Sequence, residues 1–312
     1  MEIAINVVLT IAGLVMLCFG GNWLVNGSVT IARRLGTSQL VIGMTVVAYG
    51  TSTPELAASI AAAGEHGGII LGNVIGSNIA NVGMVIGIAA IIATLAVRKS
   101  SLRKEIPIMI GISFLLVILS LDGEISQVDG VLLIAGVVAF TVYTYFDAKK
   151  QKDQRSNNVE VNPKRSVYLK AGILLAIGIG LLYGGAILTI NNAVILAQSL
   201  GISERIIGLT VIAIGTSLPE LITSIIAIKK GHHDIGVGNI IGSNIYNILM
   251  IMGVASAIAS ITVVPEVFLD YAVMIGFSLA ILVALKSGKI NRSIGIGLTF
   301  AYVVYLVMSF FS

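Results

Sequence analysis

Residues 31 to 60 of this chain return 165 positions later: seventeen of the thirty residues from 196 to 225 are identical, including the counterparts of Leu35-Gly36, Ile42-Gly43, Thr45-Val46 and Leu56. Each copy carries one polar phrase, Gly50-Thr51-Ser52-Thr53-Pro54-Glu55 or Gly215-Thr216-Ser217-Leu218-Pro219-Glu220. A second phrase follows, Gly72-Asn73-Val74-Ile75-Gly76-Ser77-Asn78, echoed by Gly238-Asn239-Ile240-Ile241-Gly242-Ser243-Asn244. That pair aligns at a shift of 166, so one residue was inserted between the phrases, and the duplicated unit is a helical hairpin. Both copies sit in apolar runs, where a carboxylate is expensive to place. Two half-sites that meet are expected, and a cation is the expected guest.

Those runs set the fold class. Of 312 residues, 56% are hydrophobic and 11% charged, with mean hydropathy +1.01, which excludes an ordinary soluble core. Apolar windows near 4–32, 40–63, 69–96, 105–121, 129–147, 167–198, 205–228, 235–260, 267–285 and 292–311 predict an all-α membrane protein of ten transmembrane helices. At about 1.5 Å per residue the first and sixth are longer than a perpendicular span needs, so they should tilt or overhang. The start, Met1-Glu2-Ile3-Ala4, lacks the basic region and small-residue cleavage pattern of a signal peptide, so the first span is expected to stay. Cys18 is alone, which rules out a disulfide framework or a CxxC site, and a buried structural thiol is expected.

Basic residues fall on one set of loops: Arg33 and Arg34; Arg98, Lys99, Arg103 and Lys104; Lys149, Lys150, Lys152, Arg155, Lys164, Arg165 and Lys170; Lys229 and Lys230; Lys286, Lys289 and Arg292. Only Arg205 lies on the other side, which is acidic: Glu65, Asp122, Glu124, Asp129, Glu204, Glu266 and Asp270. The positive-inside rule then predicts cytoplasmic basic loops and both termini outside. A pI near 9.1 reflects this orientation; no basic stripe with interleaved aromatics suggests nucleic-acid binding. Every Asp and Glu is expected in a loop or at a terminus except Glu55 and Glu220, with no Lys, Arg or His deep in the membrane to neutralise them. They should be protonated or matched by mobile cations.

Five spans separate equivalent points of the copies, and an odd number reverses the second copy's direction across the membrane. Residues 1–147 and 167–312 are therefore expected to be inverted-topology repeats of five helices each, joined by a polar cytoplasmic linker, 148–166. Such repeats place substrate near mid-membrane at their contact.

Pro54 and Pro219 each remove a backbone donor, so carbonyls at 48–50 and 213–215 should lose their usual partners. Broken backbone is tolerated in a membrane where it is buried in protein or lines a hydrated cavity. Ala48, Ser52, Glu55 and Ser59 share one helical face, as do Ala213, Ser217, Glu220 and Ser224; Asn73, Ser77 and Asn81, and Asn239, Ser243 and Asn247, form stripes on the neighbouring helices. The inventory is all oxygen, which suits Ca²⁺ and Na⁺ and lacks the thiolate or imidazole of a Zn²⁺ or Cu⁺ site. Two negative charges match one divalent ion, and competition of Na⁺ for the same oxygens would support exchange. Each motif also has a plain structural reading, a proline kink or small residues at helix contacts. Gly72, Gly76, Gly238 and Gly242 are assigned to close packing, His66, His232 and His233 to solvated loops, and Trp23 to packing or the interface.

At these residues the chain resembles the cation/calcium antiporter superfamily, and most its sodium/calcium exchanger branch. The likeness spans nearly the whole chain, and the paired G-T-S-x-P-E and G-N-x-I-G-S-N motifs are highly specific. It implies ten helices in inverted halves, with Ca²⁺ and several Na⁺ held by the second, third, seventh and eighth. Carried over by position, Glu55 and Glu220 would be the central ligands; Thr51, Ser52, Thr216 and Ser217 would add oxygens, as would the carbonyls of Ala48 and Ala213. Ser77 and Ser243 would serve flanking sodium sites, with Asn81 and Asn247 completing the pocket. The long first and sixth helices would slide together to alternate access. Potassium-dependent relatives carry an acid where this chain has Asn247, which favours potassium independence, and proton/calcium relatives typically lack the full T-S-x-P-E pattern.

The expected function is a cell-membrane antiporter exchanging Na⁺ for Ca²⁺. An H⁺/Ca²⁺ antiporter is the alternative, because a buried Glu can itself take up a proton, and a Ca²⁺-permeable channel would use similar oxygens. With no H-E-x-x-H, no membrane histidine beside a serine and no GxxxxGK, neither enzyme nor cofactor is expected. The chain should work in membrane lipid as a monomer without an obligate protein partner.

Overall fold

A computed structural model describes residues 2–64, 67–96, 103–155, 165–201, 213–283 and 288–311. Its apolar runs become helix, because in hydrocarbon a segment must satisfy its own N–H and C=O groups. In chain order the helices are α1 (Glu2–Leu35), α2 (Gln39–Thr51), α3 (Thr53–Ala62), α4 (Gly67–Ile92), α5 (Glu105–Leu119) and α6 (Gln127–Arg155), followed by α7 (Arg165–Ser199), α8 (Ala213–Thr216), α9 (Leu218–Lys229), α10 (His233–Ile258), α11 (Val267–Ala280) and α12 (Arg292–Phe311). Among the described residues six helices are long and apolar enough to cross a membrane: α4, α10 and α12, most of α1 and α7, and α6 as far as Lys149. α2, α5 and α11 are shorter apolar helices.

Several expectations change. The single run 40–63 is two helices broken at Ser52, and the run 69–96 ends as helix at Ile92, with Leu95 and Ala96 in a strand. α6 continues to Arg155, into the segment expected to be linker, while 156–164 lie outside the described residues, as do 202–212 of the seventh predicted span, Glu65, His66, Arg98, Lys99, Glu204, Arg205 and Lys286. Cys18 is exposed, not buried, because α1 turns most of its surface outward and is helical on that face for the backbone's sake. Glu105 is a third buried carboxylate, since the first turn of α5 carries it inside the bundle. Asp270, its repeat mate 165 positions on, is half-buried and accepts the Tyr305 hydroxyl at 2.9 Å. His233 opens α10 instead of lying in a loop, while His232 caps that helix and faces Gln39 at 3.3 Å.

α4 and α10 are the buried pair, with 78% and 83% of their most apolar windows inside, against 17% for α1 and α12. α1 and α7 pack antiparallel: a Cβ at Gly20 would meet Gly178 O at 2.8 Å, and one at Gly27 would meet Ala171 O at 3.0 Å. Small residues every seventh position let these backbones approach. Both helices end on a left-handed glycine, Gly36 (φ 66°) and Gly201 (φ 75°), 165 positions apart. Four short strands tie the ends of the bundle. β1 (Leu95–Ala96) pairs antiparallel with β4 (Lys289–Ile290), and β2 (Glu124–Ile125) with β3 (Ile261–Thr262), so each half's strands bond to the other's. One apolar cluster fills the bundle around α4 and α10; a second, from Leu17, Leu24, Val25 and Leu182 to Val47, Ala227 and Ile235, seats α1 and α7 against α2, α9 and α10.

Candidate cation-binding site

Each duplicated phrase breaks a helix at its serine. Ser52 (φ −85°, ψ 9°) and Ser217 (φ −89°, ψ 2°) leave helical geometry, and Pro54 and Pro219 sit in the first turns of α3 and α9, where a missing N–H costs nothing. Glu55 and Glu220 follow in those first turns, near helix N-termini that favour negative charge. Both carboxylates are buried, Glu55 at 1% and Glu220 at 0% exposure.

Oxygens from both copies surround them. Ser52 Oγ of the first copy donates to Glu220 Oε1 of the second at 2.9 Å, and Ser243 Oγ reaches the same oxygen at 3.4 Å. Thr51, Ser77, Asn81, Thr216, Ser217 and Asn247 are buried too. Ala48 is buried in α2, and Ala213 opens α8. Among the described residues several polar atoms here have no hydrogen-bond partner: Glu55 Oε2, Glu220 Oε2, Asn81 Oδ1, Ser217 Oγ and both amide atoms of Asn247. Among the described residues no cationic side chain pairs with either carboxylate. Buried polar atoms are normally satisfied, so a cluster of bare oxygens around two acids is what a hard cation would complete.

Two expected ligands are otherwise engaged. The Ala48 carbonyl is not freed: it accepts Ser52 N–H at 3.0 Å and the Thr51 hydroxyl at 3.2 Å, because the proline two residues on leaves Ser52's own N–H intact. Ser77 Oγ turns to Asn73 O of its own helix at 2.6 Å, whereas its counterpart Ser243 faces Glu220.

The stripe residues beyond the expected ligands form a supporting layer. Asn73 donates to Ser59 Oγ at 3.1 Å, and Asn239 to Ser224 Oγ at 3.0 Å, tying α4 to α3 and α10 to α9. Thr51 Oγ1 also lies 3.1 Å from Asn239 Oδ1, its one proton shared between that oxygen and the Ala48 carbonyl, and this contact joins the copies. Asn78 and Asn244, buried in the same phrase, were not expected at the site; their place in the duplication was the available sign. Tyr246 lies near Glu55 and stacks on Tyr49, ring centroids 4.4 Å apart, a pair with no counterpart in the repeat.

Local backbone adds what periodicity hides. α4 and α10 widen into π-helix over Asn81–Ile86 and Asn247–Met252, each starting at an expected ligand, and α2 does so over Gly43–Val47. Such turns are frequent at functional sites. The glycine assignment holds for Gly238 and Gly242, which meet α2; the repeat counterparts of Leu40 and Met44, positions 205 and 209, lie outside the described residues. A Cβ at Gly238 would lie 2.7 Å from Leu40 O, and one at Gly242 would overlap Met44, while no described atom comes within 4 Å of one at Gly72 or Gly76.

A family model described as sodium/calcium exchanger protein matches residues 5–146 and 170–311. The sodium/calcium exchanger MaX1 of Methanosarcina acetivorans is 32% identical, covering 99% of both chains. The inner membrane protein YrbG of Escherichia coli is 35% identical over 96% of this chain and 95% of its own. Among solved structures, the sodium-calcium exchanger NCX_Mj soaked with zero Na⁺ and Ca²⁺ superposes with a TM-score of 0.85 at 33% identity, covering 98% of this chain and 99% of that one.

Proposed function

Because this chain belongs to the sodium/calcium exchanger family, an integral membrane family of transporters and not of enzymes, we propose that it is a secondary active antiporter that moves Na⁺ and Ca²⁺ in opposite directions through a mid-membrane site. The observation that carries this reading is the burial of Glu55 and Glu220, one from each copy, among oxygens that include a hydrogen bond from Ser52 of the first copy to Glu220 of the second and several without partners among the described residues. Two carboxylates balance one Ca²⁺, and a divalent ion between them removes the charge that hydrocarbon penalises. Na⁺ taking over the same oxygens discharges the Ca²⁺, so either load can cross and the bare site is disfavoured.

In this reading Glu55 and Glu220 are the central ligands. Thr51, Ser52, Thr216 and Ser217 supply hydroxyl or backbone oxygens, Ala48 and Ala213 supply carbonyls, Ser77 and Ser243 line flanking sodium positions, and Asn81 and Asn247 close the pocket. Ala48 takes part once Ser52 N–H or Thr51 releases its carbonyl. Ten membrane-crossing segments form two inverted halves, 1–147 and 167–312, joined by the cytoplasmic linker 148–166, with both termini outside the cell membrane. The antiparallel α1–α7 pair, the reciprocal β1–β4 and β2–β3 pairing and the loop charges support that arrangement. An amide at Asn247 leaves the charge to two glutamates and favours independence from K⁺.

The test is ⁴⁵Ca²⁺ uptake into proteoliposomes under an imposed Na⁺ gradient, comparing the native chain with Glu55→Gln and Glu220→Gln. Uptake should follow the Na⁺ gradient and vanish in both variants. Uptake driven by a pH gradient without Na⁺ would make the chain an H⁺/Ca²⁺ antiporter, uptake with no counter-ion gradient would make it a channel, and normal exchange by both variants would refute the site.

A further inference from the structure

Four buried asparagines lie where α4 crosses α10, and the repeat sorts them into two equivalent pairs: Asn81 with Asn244, and Asn247 with Asn78, each residue 166 positions from its mate in the other pair. Only one pair is bonded. Asn81 Nδ2 donates to Asn244 Oδ1 at 3.0 Å, and Asn244 Nδ2 turns to Met109 Sδ at 3.6 Å. In the other pair Asn78 Nδ2 is bound to Val74 O of its own helix at 2.7 Å, its Oδ1 has no partner, and neither amide atom of Asn247 has one. Met274, the repeat mate of Met109, is buried, and among the described residues it takes no such hydrogen bond.

A planar amide whose nitrogen is held has its oxygen aimed by the same bond. With Nδ2 fixed on Asn244, Asn81 presents an unpartnered Oδ1, whereas Asn247 is held at neither end. The two pairs consist of the same residue types at equivalent positions and differ in which hydrogen bonds they make. Inverted repeats give two access states by gating one copy against the other, and the equivalence of the halves makes the mirror arrangement of these two pairs the natural second state.

Resting on the exchanger reading, we infer that Asn244 and Asn78 are positioning residues that work in alternation: the Asn81–Asn244 bridge forms in the access state seen here and the Asn247–Asn78 bridge in the opposite one, so that each state aims one amide oxygen at the cation. Asn78 then leaves Val74 O and turns its nitrogen towards Met274, as Asn244 does now towards Met109. Each bridge biases the equilibrium towards its own state, and a ligand site open to one face is correspondingly better formed on that face.

The test is exchange in vesicles of uniform orientation, with the apparent KM for Ca²⁺ measured separately on each face for the native chain, Asn244→Ala, Asn78→Ala and the double variant. One net hydrogen bond shifts such an equilibrium about threefold to tenfold. Asn244→Ala should change the ratio of the two KM values by that factor in one direction and Asn78→Ala in the other, and the double variant should return the ratio close to the native value. Singles that shift the ratio in the same direction, or a double variant further from native than either single, would overturn the alternation. A variant that fails to fold drops out on monodispersity, and Asn244→Ser and Asn78→Ser then replace it with the same expected signs. If the native chain shows no Na⁺-driven uptake, the exchanger reading itself has failed; if it exchanges and the ratios do not move apart, only this inference has.

Discussion

Glu220 shows how much a single side chain depends on its neighbours across the fold. Its Oε1 accepts Ser52 Oγ at 2.9 Å from the other copy, and hydrogen bonds to charged groups contribute about 1.5–3 kcal/mol. Ser52→Ala should therefore raise the Ca²⁺ concentration for half-maximal uptake roughly tenfold to a hundredfold. Ser77→Ala, which removes a hydroxyl bound to its own helix, should move it by about twofold at most. Comparing ⁴⁵Ca²⁺ uptake curves for the two variants decides the ranking, and equal losses would mean that Ser77 reaches the divalent ion as directly as Ser52 does. The resemblance placed Ser52 beside the central acids and Ser77 at a flanking sodium position, but the repeat gives Ser77 and Ser243 like contexts, so it could not show that one turns to its own helix and the other to Glu220. The two acids were legible for a different reason: charge in an apolar run is costly wherever the run is placed.

Elements read less evenly. Apolar length located α1, α7 and α12 well, since lipid-exposed helices are specified by hydropathy and little else. The break at Ser52 was only half visible, as the proline announced a disturbance without saying which carbonyl would lose its partner. The π-turns at Asn81 and Asn247 left no periodic trace. Gly238 touches α2 at Leu40 and Met44, a contact that its phrase alone does not announce. Close packing of α1 on α7 yields a stability prediction. Gly20→Val would drive its side chain into Gly178 O and Leu182 N, 2.8 and 2.9 Å from its Cβ, and overpacking of this kind costs about 1–3 kcal/mol. Its melting temperature in detergent should fall by about 2 to 8 °C. An unchanged Gly20→Val would show that the seam is loose.

At the scale of the whole molecule, α1 and α7 are joined more intimately to each other than to the bundle. Their shared surface is a row of glycines, whereas Lys230 Nζ reaches Asn22 and Asn26, at 2.7 Å in the second case, to tie α1 to the end of α9. If the two long helices slide as one body, a bridge within the pair is harmless and a bridge to the bundle is not. In a Cys18→Ser background, Met16→Cys with Gly184→Cys joined by a short bis-thiol reagent should keep most of the native exchange rate. Asn26→Cys joined to Lys230→Cys should lose nearly all of it and recover when the bridge is cleaved. Arrest by the first bridge would separate α1 from α7 as moving parts.

The chain by itself determined its class, its duplication and its two central acids, because hydropathy, identity at a fixed shift and the cost of buried charge are local properties of a string of residues. Tertiary structure alone decided which copy's serine bonds which glutamate, that Ala48's carbonyl is engaged, that Cys18 faces outward, and that one asparagine pair is closed while its twin is open. Identical phrases cannot encode a difference between themselves. A packed molecule of two like halves can still break their equivalence, because closing one interface leaves different neighbours for the other.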